Sequence, residues 1–154
     1  MSPNSRESAA MGTQNADVAV VRRFIDEVIN GGRLHLVDEL WSKDLTWHGG
    51  SLGEVRGVVP YKEMLRAAAS GAFSGMHLTV HDVVAADGKV AVRFTNSGTH
   101  TGPFMGAPAT GKRAEWLGIA IYTVVDGKIA DAWFGEDVLG MMLQLGVIQL
   151  PAGT

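Results

Sequence analysis

Two Asp-Gly pairs, Asp87-Gly88 and Asp126-Gly127, constrain the fold of this chain more than any other feature. Each lies between long runs in which apolar residues recur at every second position. Met76 to Ala86 and Lys89 to Thr101 flank the first, and Arg113 to Val125 and Lys128 to Glu136 flank the second. Asp-Gly suits the positive-φ positions of a two-residue turn whose twist matches that of paired strands. The sequence therefore predicts two long hairpins and an antiparallel sheet.

Upstream the period is helical. Val18, Val21, Phe24, Ile25 and Val28 share one face of a helix over Ala16 to Asn30, which Gly31-Gly32 ends. Leu34 to Trp41 reads as a second, shorter helix, Lys43 to His48 as a strand, and Gly49 to Gly57 as a loop. Pro60 to Phe73 reads as a third helix, since proline is favoured in a first turn. Asp137 is placed to cap a closing helix that runs to Leu145. Helices that precede a long-stranded sheet and pack on one of its faces define an α+β layout.

At 154 residues the chain is most simply one domain, over residues 16–150. Residues 1–15 are polar and lack the pattern of a signal peptide, so they read as a disordered tail. A net charge of −3 gives no basic footprint, which argues against nucleic acid as a partner. No apolar run approaches the roughly 18 residues of a membrane span. There are no cysteines, so disulfides, thiolate metal sites and cysteine nucleophiles are excluded. That composition suits a reducing compartment, and the chain is read as cytoplasmic. No His-Glu-x-x-His spacing, phosphate loop or nucleophile elbow is present, so no metal and no cofactor are expected.

Strand alternation says which side chains can share a cavity. Val90, Val92, Phe94, Asn96, Gly98 and His100 form one set, and Trp116, Gly118, Ala120 and Tyr122 form another. Ala132, Phe134 and Glu136 share a face of the last strand, while Asp131 and Trp133 share the other. Leu117, Ile119 and Ile121 make the opposite face of their strand apolar as well, which calls for a second cover, from a second subunit. A few polar groups among bulky apolar ones is the pattern of a small-molecule site. His100 and Glu136 are the leading candidates for acid/base work, and His48 is a third. Trp47, Phe94, Phe104, Met105, Trp116, Tyr122, Trp133 and Phe134 are the candidate substrate-binding residues. Alternation turns one of Trp47 and His48 inward without saying which. His35, His77 and His81 read as surface residues.

The run Gly98-Thr-His-Thr-Gly102 with Phe104-Met-Gly-Ala-Pro-Ala-Thr-Gly-Lys112, then Asp126-Gly-Lys-Ile129 and Trp133 to Gly146, resembles the SnoaL-like polyketide cyclases of the NTF2-like superfamily. The resemblance implies a cone of helices and a curved antiparallel sheet around a deep pocket, a homodimer, a hydrophobic small-molecule substrate and no metal or redox cofactor. It also implies natural-product biosynthesis: ring closure by acid/base catalysis, including epoxide opening, or alternatively a cofactor-free hydroxylase or isomerase. A non-catalytic, ligand-binding NTF2-like dimer is the reading from another class. The aspartate and histidine of the aldol cyclases fall here at Phe134 and Ala120, so that pair is missing. Members that open epoxides use a histidine and a glutamate, roles that the resemblance gives to His100 and Glu136.

Overall fold

The computed structural model describes residues 3–153. Helix α1 (Pro3–Arg23) continues into a wide turn of π type over Phe24–Ile29. The tail expected over residues 1–15 is thus helical from Pro3, while Met1 and Ser2 lie outside the described residues. No side chain from Pro3 to Thr13 is buried, so this part of α1 contributes nothing to the core. A single turn at Leu34–Leu36 leads into α2 (Val37–Leu40), then β1 (Trp41–His48), β2 (Glu54–Arg56) and α3 (Val58–Ala67). Strands β3 (Phe73–Ala86), β4 (Lys89–His100), β5 (Arg113–Val125) and β6 (Lys128–Glu136) follow, and α4 (Val138–Leu145) closes the fold. Among the described residues no helix is long and apolar enough to cross a membrane.

Both Asp-Gly pairs make the hairpin turns. Asp87 and Asp126 take φ of 52° and 50°, and the glycine after each is also positive. The six strands form one sheet in the order β2-β1-β6-β5-β4-β3. The expectation of antiparallel pairing fails at a single junction, where β1 runs parallel to β6. A parallel pair joins strands distant in sequence, which no local turn signal reports. Strand β2 falls within the predicted loop, Gly49 to Gly57. At three residues it is too short to show a period.

The concave face of the sheet carries Val90, Val92, Phe94, Ala120, Tyr122, Ala132, Leu45 and Trp47, all buried. The helices cover it with Val21, Phe24, Ile25, Val28, Val37, Leu40 and Tyr61. Trp41 sits at the centre, 5.1 Å from the Phe24 ring and 4.5 Å from that of Tyr61. Burying each such side chain stabilises the fold by roughly 1.5–3 kcal/mol. A second, smaller cluster lies where α4 packs on the sheet: Phe73, Ala114, Trp116, Met141 and Leu145. On the convex face Leu117, Ile119 and Ile121 remain 44–50% exposed and Trp133 59%.

The segment after β4 is tied down at its start. The amides of Thr101 and Gly102 both donate to the Ala72 carbonyl, at 3.0 and 3.1 Å. Gly102 lies so close to the Gly71 backbone that a Cβ there would overlap its carbonyl oxygen. Backbone cannot rotate away as a side chain can. Gly102→Ala is therefore expected to destabilise the protein by about 1–3 kcal/mol in chemical denaturation, the cost of overpacking.

Candidate functional site

Glu136 ends β6, and the next residue starts a helix. Asp137 caps α4, its Oδ1 accepting from the Gly140 amide at 2.8 Å. The cap is thus made by Asp137, and Glu136 keeps the strand alternation that puts it on the face of Ala132 and Phe134. Its backbone pairs with Gly118, which pairs in turn with Phe94. One step along, Asn96 and Trp116 are cross-strand partners. Their side chains converge on the carboxylate: Asn96 Nδ2 donates to Glu136 Oε1 at 2.8 Å, and Trp116 Nε1 donates to the same oxygen at 2.9 Å. Hydrogen bonds to an ionised acceptor are the stronger kind. Among the described residues no donor reaches Oε2.

Trp116 is almost fully buried, whereas Glu136, Asn96 and Phe134 are half-buried, so the carboxylate stands at the mouth of the aromatic interior. Behind it Phe134 lies 5.7 Å from Trp47, 5.9 Å from Phe94 and 5.6 Å from Tyr122. Burial pushes the Tyr122 phenol far above its ordinary range, and the Glu136 charge adds to the effect. Tyr122 therefore stays a neutral phenol.

His100 is fully buried. The Thr110 amide donates to its Nδ1 at 3.2 Å, and the Thr110 hydroxyl lies 3.0 Å from the same nitrogen. An amide can only donate, so Nδ1 accepts and the proton of the neutral ring sits on Nε2. Nε2 is buried and has no partner among the described residues. Phe73 neighbours both His100 and Trp116, at 5.4 Å from each ring.

The structure does not bring His100 and Glu136 together. The Glu136 carboxylate reaches Asn96 on β4, four residues before His100, or roughly 13 Å along the strand at about 3.3 Å per residue. His48 also departs from its expected place. Trp47 is the inward residue of that pair, and His48 lies toward the convex face, stacked 3.8 Å from Trp133. Its Nδ1 is 3.0 Å from Glu54 and its Nε2 2.8 Å from Asp131. Trp133 is outward with it, and Met105 is exposed in a tight turn at a φ of 47°. Phe104 is half-buried against Phe73, 5.6 Å away.

Inside the cone Phe134 packs against Trp47 and Phe94. Gly118 leaves room that the Phe94 ring takes, and a Cβ there would overlap it. A surface hollow of about 230 Å³ lies elsewhere, among Leu34, His35, Asp38, Lys62 and Arg66 of the helical layer. Phe134 and Ala120, where the resemblance places the aldol pair, are cross-strand partners. Their positions do meet, and both are apolar. Asn96 was the residue sequence reasoning missed. Its signal was an amide in the row Val92, Phe94, Gly98, which is otherwise apolar until His100.

Helices laid on the concave face of a curved, unclosed six-stranded sheet define the NTF2-like cone. Within that class, the model of the SnoaL-like polyketide cyclases matches residues 19–145, and the chain belongs to this family. Its solved relatives include TsrD from Streptomyces laurentii, 27% identical, covering 88% of this chain and 98% of that one with a TM-score of 0.77. IdmH from Streptomyces antibioticus, a candidate polyketide cyclase, is 28% identical over 84% of this chain and 98% of its own, with a TM-score of 0.74. AclR from Streptomyces galilaeus, a candidate hydroxylase, is 25% identical over 90% and 87%, with a TM-score of 0.75. No curated protein matches. Members of the family are generally cyclases or isomerases, which supports an enzyme.

The Thr110 hydroxyl also accepts from the Lys112 amide at 3.3 Å, so one side chain ties the loop after β4 to the His100 ring. Thr110→Val should keep the fold and loosen this tie. Hydrogen exchange at the Gly111 and Lys112 amides is expected to quicken by about five- to tenfold, from the roughly 1 kcal/mol of a lost hydrogen bond.

Proposed function

We propose that this chain is a cofactor-independent cyclase of natural-product biosynthesis, with Glu136 as its acid/base group. The observation that carries this reading is the grip of Asn96 and Trp116 on a single oxygen, Oε1. A carboxylate fixed through one oxygen presents the other in a set direction, at the edge of an aromatic interior. Oε2 takes the proton of an attacking hydroxyl as the new bond forms. The protonated acid then returns that proton to the departing oxygen, as in the opening of an epoxide. One group serves both half-steps, so no second acid is needed beside it, and His100 instead anchors the loop after β4. Pocket walls that fold the substrate into a near-attack shape supply much of the rate.

In this reading the substrate is hydrophobic, the protein works in the cytoplasm, and a second copy covers Leu117, Ile119, Ile121 and Trp133. The packing of Phe134 on Trp47, Phe94 and Tyr122 favours one rival, a non-catalytic NTF2-like dimer. Turnover separates the two. With the product of a neighbouring synthase or epoxidase as substrate, Glu136→Gln is expected to lower kcat by roughly 10²–10⁴. Unchanged turnover in a folded variant rejects the assignment.

A further inference from the structure

Hydrogen-bonding capacity around Glu136 is unevenly spent, and the imbalance specifies what can dock there. A carboxylate only accepts, so the Asn96 amide must turn its NH₂ toward Glu136 and its carbonyl oxygen Oδ1 away. The indole of Trp116 has one N–H, and Oε1 takes it. Each gives one hydrogen to Oε1, and the Asn96 NH₂ keeps a second N–H. Beside that N–H stand two acceptors, Glu136 Oε2 and Asn96 Oδ1, with no protein donor on either among the described residues. Both belong to half-buried side chains, while the indole beside them is nearly buried. Two acceptors, one of them on a charged carboxylate, outweigh the one spare N–H; they repel an anion and reward a group that brings its own N–H or O–H.

We infer that the site selects substrates by a neutral hydroxyl, an alcohol or phenol on an apolar body, and rejects the corresponding carboxylate. The inference rests on the reading of Glu136 as the working carboxylate, and it adds the chemical class of the group that the carboxylate meets. An aromatic ring bearing the hydroxyl would lie against Phe134 and Trp116, the apolar surfaces next to the acceptor pair. Discrimination arises from polarity, because an ether of nearly the same shape lacks only the donated proton.

The probes are a naphthol, its methyl ether and the matching naphthoate, titrated into the whole protein at neutral pH. Calorimetry gives the affinity, and the Trp116 indole N–H resonance, assigned by its loss in Trp116→Phe, locates the binding. The naphthol is expected to bind about tenfold or more tightly than its ether, as a hydrogen bond to a charged group implies, and the naphthoate weakest of the three. Glu136→Gln keeps the shape and replaces one acceptor with an NH₂ donor. It should erase the preference for the naphthol and improve binding of the naphthoate. Equal binding of naphthol and ether, tightest binding of the naphthoate, binding that leaves the Trp116 resonance unmoved, or no binding by any probe overturns the inference. An order of affinities that survives in Glu136→Gln does so too. Turnover is read separately. Hydroxyl selection by the unaltered protein, lost in Glu136→Gln while that variant keeps full activity, would leave this inference standing and remove the catalytic assignment.

Discussion

The pairing register of β4, β5 and β6 is the constraint on which the rest depends. It sets Phe94 beside Gly118 beside Glu136, and Asn96 beside Trp116. A slip of one residue would turn every side chain of a strand to the other face. Glu136 would then face solvent with Trp133's present neighbours, and Leu117 and Ile119 would enter the core. The register is specified strongly because one face is so apolar. Val90, Val92, Phe94, Ala120, Tyr122 and Ala132 lose their burial together if any strand moves.

That same register gathers the rings inside the cone. The row holding Ala120 and Phe134 stands where relatives are expected to keep a polar pair, and here it supplies a ring. Phe134 meets Trp47, Phe94 and Tyr122, and the polar group of Glu136, Asn96 and Trp116 lies one row along. The proposed site thus has aromatic rings beside it. Such rings suit flat or greasy ligands more than large polar ones.

Much of the fold was legible in the sequence. The Asp-Gly pairs located both hairpins, and alternation assigned the inward residues of β4, β5 and β6, because a period of two survives wherever a strand has one buried face. The helical reading of Val18 to Val28 and the cap at Asp137 rested on equally local signals. Contacts across the sequence were not legible. The parallel neighbour of β1 and the tie between Asn96 and Glu136, forty residues apart, depend on which strands lie side by side. His48 shows the limit well. Its titratable ring drew attention, yet alternation leaves a strand's phase undetermined until one residue is seen in place, and Trp47 took the interior. His100 and Glu136 accordingly share a face but not their neighbours, Thr110 and Phe73 for the one and Asn96 and Trp116 for the other. Both do project from the concave face, but alternation carries no measure of how far apart two residues on different strands will fall.

Trp116 belongs to two neighbourhoods at once. Its ring is part of the cluster that seats α4, with Phe73, Met141 and Leu145, and its indole nitrogen steadies Glu136. The C-terminal helix and the acid are consequently mechanically linked through one rigid bicycle. A substitution buried under α4, well away from any ligand, can misaim the carboxylate as surely as a change beside it.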